Sequence, residues 1–303
     1  MKVLVLYNSN SGSGDKEQLI DQLKTDLLAH GYLAEDIAIE EPSSIEEAVA
    51  MAKQASENHV DLVVTMGGDG TINKIAGGIY EGGAHSTLGI LPSGTVNNFA
   101  KSLKLPQGKD AISVLREGVA RPVELCRVNQ SYAISSLTLG ILADIAANVT
   151  ADEKRKWGPL AYLKNAVKIL TRNRNYYLEL THDGQTLRHK TKILLITLTN
   201  SVGGMDQFDP KAGLNDGLMS VYLLSDFSFW KMLLSLPRIL RGEFGYLEGI
   251  THFRTGKMTI RQYKRTWRKA RTRIDGDKSD QLPIVLEMIP QAIKVMVPND
   301  QNR

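Results

Sequence analysis

Apolar residues in the first third of the chain come in two alternating rhythms. Val3–Tyr7, residues 61–66 and Thr87–Leu91 are short, unbroken apolar runs, the pattern of strands buried on both faces. Between them Leu19, Leu23, Leu27 and Leu28 recur at helical spacing until His30-Gly31. Ser43/Ser44 followed by Glu46/Glu47 marks the capped start of a second helix running to about Glu57. Further helices are predicted over 71–80 and 95–103. Strands separated by helices pair in parallel, with helices on both faces. Each strand is followed closely by Gly, Ser, Asn or Asp, and ligands of open α/β sheets bind at such carboxyl ends.

After about residue 125 the pattern changes. Tyr176–Thr181, Thr186–Thr199, Gly217–Leu224, Lys257–Tyr263 and Thr272–Asp275 predict strands of an antiparallel sheet or sandwich. Apolar helical stretches at Ile141–Val149, Leu160–Leu170 and Phe229–Leu240 interrupt them. The last run, Ile284–Val297, is expected to return to the first half. The expected fold class is α/β + β. A doubly wound α/β domain covers 1–125, joined by about 290–303, and an antiparallel β-sandwich-like domain covers 126–289.

Composition adds bounds. A chain of 303 residues is comfortable for two domains, and 42% hydrophobic with 23% charged residues is ordinary for a globular protein. One cysteine, Cys126, excludes an internal disulfide, and six scattered histidines show no metal-ligand spacing, so a reducing cytoplasm is expected. The start, MKVLVLYNSN, is too short and too β-like for a signal peptide. The longest apolar stretch is broken by Lys231, Pro237 and Arg238 and cannot span a bilayer. A soluble protein is expected. Its charge is uneven: residues 1–125 hold 10 Lys/Arg against 17 Asp/Glu, and residues 126–303 hold 27 against 16. The second half is therefore expected to meet something anionic.

Three glycine-bearing loops leave one sheet edge: 8–14, Gly67-Gly68-Asp69-Gly70-Thr71, and Pro92-Ser93-Gly94-Thr95. Glycine turns bring backbone N–H groups close to a phosphate, and the next helix N-terminus adds partial positive charge. None of the three is a GK[ST] phosphate loop or GxGxxG. Asp69 reads either as a cap for helix 71–80 or as a carboxylate reaching Mg²⁺ beside phosphates.

Gly67–Thr71 with Asn73, followed by Leu91-Pro92-Ser93-Gly94-Thr95-x-Asn97-x-x-Ala100, resembles the bacterial diacylglycerol kinase family of lipid kinases. Pro210-x-Ala212-x-x-x-Asp216-Gly217 and Asp275-Gly276-Asp277 are similar to two downstream signatures of that family, so the resemblance spans nearly the whole chain. It implies ATP at Asn8, Ser9, Asn10, Ser11, Gly12, Gly67, Gly68, Asp69, Gly70, Thr71, Asn73, Gly94 and Thr95, with Asp69 near a catalytic Mg²⁺. It implies a second Mg²⁺ held by the Asp216 carboxylate and the carbonyls of Gly213 and Leu218. It also implies a general base at Asp277, where the family carries Glu, and a lipid received between the two domains. Without the resemblance, Asp216-Gly217 reads as a hairpin turn and Asp277 as a solvated turn residue. The chain departs from the family at Asn98 and Glu124, where Asp is usual, and at Ser9, where Pro is usual. Two alternatives stay open: an NAD-kinase-like enzyme, which shares the first glycine turn, and a catalytically decayed lipid-binding or regulatory protein.

Between Arg254 and Arg273 lie nine Lys/Arg and no acid. As a strand, 265–275 would put Arg265, Trp267, Lys269, Arg271 and Arg273 on one face, suited to an anionic membrane surface. The segment Phe227–Arg241 reads equally as an interfacial or a core helix. Nucleic acid is disfavoured, because no binding motif accompanies the charge. The expected partner is a lipid at an anionic membrane surface, reached peripherally from the cytoplasmic side, and a homodimer is left open.

Overall fold

The computed structural model describes residues 1–8, 16–94, 96–140, 175–202, 208–225, 235, 237–238, 241–264 and 270–299. The chain divides into two compact units. Unit 1 is Met1–Leu125 with Leu214–Asp216 and Ile289–Arg303; unit 2 is Cys126–Gly213 with Gly217–Met288.

Unit 1 runs β1 (Val3–Leu6), α1 (Lys16–Ala29), β2 (Ile37–Glu40), α2 (Ile45–Glu57), β3 (Leu62–Gly67), α3 (Asp69–Glu81), β4 (Thr87–Pro92), α4 (Asn98–Ser102), α5 (Lys109–Glu117) and β5 (Val119–Val128). β1 lies between β2 and β3, and β4 pairs beyond β3, all in parallel. Side chains alternate along these strands. Val3, Val5, Leu62, Val64 and Met66 therefore pack against Ile20, Leu23 and Leu27 of α1 and Ile112 and Leu115 of α5. α3 packs on the sheet as well, with α2 against it.

Helix α2 starts as its sequence dictates. The Ser44 hydroxyl accepts from Glu47 N at 3.1 Å, and the Glu47 carboxylate accepts from Ser43 N at 2.7 Å, a variant of the capping box that reaches one residue before the N-cap. Ser44→Ala should cost about 1 kcal/mol, read as a fall of about 2–4 °C in thermal midpoint. The predicted helix 95–103 is shorter than expected, because Asn97 is left-handed (φ 53°) and helical geometry begins only at Asn98.

Unit 2 continues with β6 (Ser131–Ala133), β7 (Ser136–Gly140), β8 (Tyr176–His182), β9 (Gln185–Thr191), β10 (Ile193–Thr197), β11 (Met219–Leu224), β12 (Ile250–Thr255), β13 (Lys257–Gln262), β14 (Arg271–Ile274), β15 (Asp277–Gln281) and β16 (Ile284–Val297). One antiparallel sheet has the order β12-β11-β10-β7-β14-β15, and β16, β13, β8 and β9 pair antiparallel in another. Leu137, Leu194, Ile196, Val221 and Ile274 of the first meet Leu178, Leu180, Ile260, Ile284 and Leu286 of the second in one core. β16 is shared: residues up to Met288 pair with β13 in unit 2, and Lys294-Val295 pair in parallel with β4 in unit 1.

Thr186–Thr199, expected as one strand, is two. The chain passes from one sheet to the other at Lys192, and the Thr191 hydroxyl, donating to Leu224 O at 2.8 Å, fixes the step. The helices expected at Ile141–Val149 and Leu160–Leu170 lie outside the described residues, as do nearly all of Phe227–Arg241 and all of 265–269, with Arg265, Trp267 and Lys269.

Candidate active site

β3 and β4 stay in register to their last residues, Gly67 opposite Pro92, so the loops that follow them leave the sheet side by side. Ser93 N donates to Gly67 O at 3.1 Å. Asn97 closes the second loop on itself: its Oδ1 accepts from Gly94 N at 3.1 Å and its Nδ2 donates to Gly94 O at 2.9 Å. Asparagine tolerates the left-handed backbone this requires. The two loops nearly touch, since a Cβ on Gly94 would stand 2.5 Å from Gly68 Cα and 2.5 Å from Asn97 Oδ1. Gly94→Ala therefore forces the loops apart at an overpacking cost of about 1–3 kcal/mol. Nucleotide affinity and thermal midpoint should fall together, read by calorimetric titration and by thermal unfolding.

Asp69 joins the same two loops. It is the first residue of α3 and only 9% exposed. Its Oδ2 accepts from Asn98 N at 2.9 Å and its Oδ1 from Phe99 N at 3.0 Å. The carboxylate thus caps α4, not the helix it begins. Burial pushes its carboxyl above the usual range, against the opposing pull of the Phe99 and Asn98 amides and Lys101. Such a buried anion is short of positive charge. Asn73, one turn along α3, is buried too. Asn8 follows β1, and its carbonyl accepts from the buried Lys16 ammonium at 2.7 Å. Ser9, Asn10, Ser11, Gly12 and Thr95 lie outside the described residues.

In unit 2 the Asp275-Gly276-Asp277 triplet separates into two jobs. Asp275 (φ 48°) and Gly276 (φ 91°) form the tight turn between β14 and β15. The Asp275 carboxylate accepts from the amides of Ile134, Ser135 and Ser136 at 2.8–2.9 Å, which fixes the start of β7. Asp277 opens β15 opposite Ile274 and is exposed. One carboxylate builds the turn, and the other is presented by it.

Asp216 is exposed in a turn that ends on Gly217 (φ 74°). Within unit 1, Leu214 O accepts from Glu124 N at 3.2 Å and Asn215 Oδ1 accepts from Gln291 N at 3.0 Å. Among the described residues no group of three or more His, Cys, Asp or Glu could hold a metal. A cation at Asp216 would need backbone carbonyls and water, the all-oxygen set suited to a hard ion.

Sequence reasoning missed Asp209, at the head of the loop that carries Asp216. It is buried in unit 2, where its carboxylate accepts from the Ser220 hydroxyl, from Tyr222 OH at 2.9 Å and from Lys211 N at 3.1 Å. Burial alone would raise its carboxyl, but the Ser220 and Tyr222 hydroxyls, the Lys211 amide and His252 together outweigh it and hold the group low. Tyr222 in turn stacks on His252, with ring centroids 4.5 Å apart. The one signal was Ser220 and Tyr222 alternating within an otherwise apolar strand.

An α/β unit with paired glycine turns at the carboxyl ends of its strands, followed by an antiparallel sandwich unit, defines the class of chain. Residues 2–128 match the diacylglycerol kinase catalytic domain, and residues 135–297, more than half of the chain, match the YegS C-terminal NAD kinase beta sandwich-like domain. The chain belongs to the family that joins these two domains. Similar proteins include the diacylglycerol kinase of Bacillus subtilis (strain 168), 28% identical over 299 residues with 98% of this chain and 96% of that one covered. That of Staphylococcus carnosus (strain TM300) is 24% identical over 297 residues, covering 98% and 95%. A crystal structure of a diacylglycerol kinase from Bacillus anthracis str. Sterne matches with TM-score 0.77 at 21% identity, covering 100% and 98%, a likeness of fold.

Proposed function

We propose that the chain is an ATP-dependent lipid kinase, transferring the γ-phosphate of ATP to a hydroxyl of a membrane lipid such as diacylglycerol. One observation carries this reading: the Asp69 carboxylate binds the first amides of α4, locking two glycine turns together at the carboxyl ends of adjacent parallel strands. Nothing in the packing of a sheet needs that arrangement, whereas a polyphosphate does. Relatives matched over nearly the whole chain are diacylglycerol kinases, which favours a lipid acceptor over NAD.

On this reading the amides of Gly68, Asp69 and Gly70, at the N-terminus of α3, face the phosphates. Helix geometry leaves such amides without carbonyl partners. Asn8, Thr71, Asn73, Gly94 and the segments at Ser9–Gly12 and Thr95 complete the nucleotide site. Asp69 suits a Mg²⁺ site, because it is a buried anion whose two oxygens each keep accepting capacity beyond one amide. Asp216 with the carbonyls of Gly213 and Leu218 suits a second cation. Bound Mg²⁺ supplies neutralisation of charge on the transferring phosphoryl group. Asp277 takes the proton from the lipid hydroxyl as that oxygen attacks phosphorus.

Among the described residues no helix is long and apolar enough to cross a membrane. Contact with the bilayer is proposed to be peripheral, through the basic stretch that includes Arg271 and Arg273. The test is to incubate the purified chain with γ-labelled ATP, Mg²⁺ and a panel of acceptors: diacylglycerol, a sphingoid base, phosphatidylglycerol and NAD. Label in the organic phase supports the lipid kinase. Label in NAD alone would assign the chain to NAD-kinase chemistry.

A further inference from the structure

Asp209 has no part in the chemistry proposed above, yet its two carboxylate oxygens are committed to two different stretches of chain. Oδ1 accepts from Lys211 N at 3.1 Å, in the outgoing limb of the loop between Phe208 and β11. Oδ2 accepts from the hydroxyls of Ser220 and Tyr222, the latter at 2.9 Å, in the returning limb. The Asp209 carbonyl accepts from Ala212 N at 3.0 Å, so residues 209–212 close into one turn. Gly213 follows that turn directly, and Leu218 precedes Ser220 by two residues. One residue therefore pins both limbs at the base of the loop, within unit 2.

The surroundings are a costly place for a carboxylate. Asp209 is 5% exposed, next in sequence to Phe208 and bonded to Tyr222, both members of a buried apolar cluster with Leu195 and Phe244. Well-packed apolar side chains in place of buried charge often serve stability as well or better. What they do not supply is direction, which three hydrogen bonds on one carboxylate do. We infer that Asp209 is a positioning residue: by clamping the two limbs it sets the separation of the Gly213 and Leu218 carbonyls, and with it the affinity of the cation site at Asp216. The inference rests on the cation site proposed above. Mg²⁺ demands near-octahedral oxygens at about 2.0–2.1 Å, and a backbone carbonyl is placed only by placing its chain. Asp209 acts at second hand, as do the groups behind other metal ligands, whose loss lowers affinity about 10–100-fold.

Binding of Mn²⁺, a probe suited to oxygen ligands, to the full chain tests this. Free Mn²⁺ is counted by electron paramagnetic resonance well below the thermal midpoint of every variant. Asp216→Asn identifies the site, because one bound Mn²⁺ should be lost on that substitution. Asp209→Asn should weaken binding at that site about 10–100-fold. It also removes a negative charge, so two further variants separate placement from charge. Ser220→Ala and Tyr222→Phe keep the carboxylate and each cut one bond of the clamp; each should weaken Mn²⁺ about tenfold, the lower end of the same range. A purely structural Asp209 predicts lower thermal midpoints with Mn²⁺ affinity matching the parent's in all three variants. That result overturns the inference and leaves the cation site standing. Weaker binding in Asp209→Asn alone would show charge acting without placement, and overturns it too. Unchanged Mn²⁺ binding in Asp216→Asn would remove the cation site, and the inference with it.

Discussion

Asp69→Ala should abolish phosphoryl transfer and, at the same time, lower the thermal midpoint. The first effect follows from the proposed role of Asp69, a buried anion assigned to the phosphates and their metal. The second follows from geometry: the amides of Asn98 and Phe99 lose their acceptors at 2.9 and 3.0 Å, and α4 loses its cap. Cap removal costs about 0.5–2 kcal/mol, and each kcal/mol lowers the midpoint by about 2–4 °C in a chain of this size. Asp69→Asn separates the two roles. It keeps one oxygen acceptor for the helix amides and loses the charge, so stability should return in part while activity should not. ADP release and differential scanning calorimetry on the same preparations check both halves. Parent-level turnover in both variants would remove the phosphate cradle from Gly67–Thr71.

Asp277→Asn should slow turnover by about 10²–10⁴, the range for loss of a general base. Nucleotide affinity should stay within error, because the residue is assigned to the acceptor hydroxyl and not to the phosphates. The turn beneath it should survive, since Asp275, which holds the Ile134–Ser136 amides, is untouched. Asp277→Glu should retain activity, because the same carboxylate moves outward by only about 1.5 Å from an exposed position at the head of β15. A decayed enzyme would instead show the parent and both variants equally inert. If only Asp277→Asn matched the parent rate, the proton would leave by another route.

The parallel core of unit 1 was legible because strands buried on both faces leave unbroken apolar runs, as at Leu62–Gly67. Edge strand β2 was not, since Ile37–Glu40 is half exposed and its four residues resemble a loop. The step between β9 and β10 was invisible for a different reason. Both halves are good strand sequence, and only the partners reveal that they belong to different sheets. At the site, the glycine turns announced themselves through residue type. The Asp69 contacts did not, because Asn98 and Phe99 offer backbone amides, which carry no side-chain signature, 29 and 30 residues away. Asp209 was missed likewise: its partners Ser220 and Tyr222 lie 11 and 13 residues on and declare themselves only once β11 is folded.

The lipid-kinase assignment is tested most directly by the product balance of a single reaction. The purified chain, ATP, Mg²⁺ and diacylglycerol in mixed micelles are incubated, ADP is quantified, and the organic phase is analysed by phosphorus NMR for a lipid phosphomonoester. Lipid phosphate should appear mole for mole with ADP, and omission of either substrate or replacement of Asp69 should abolish it. ADP formed without lipid phosphate for any lipid acceptor offered, or no ADP at all, would contradict the assignment.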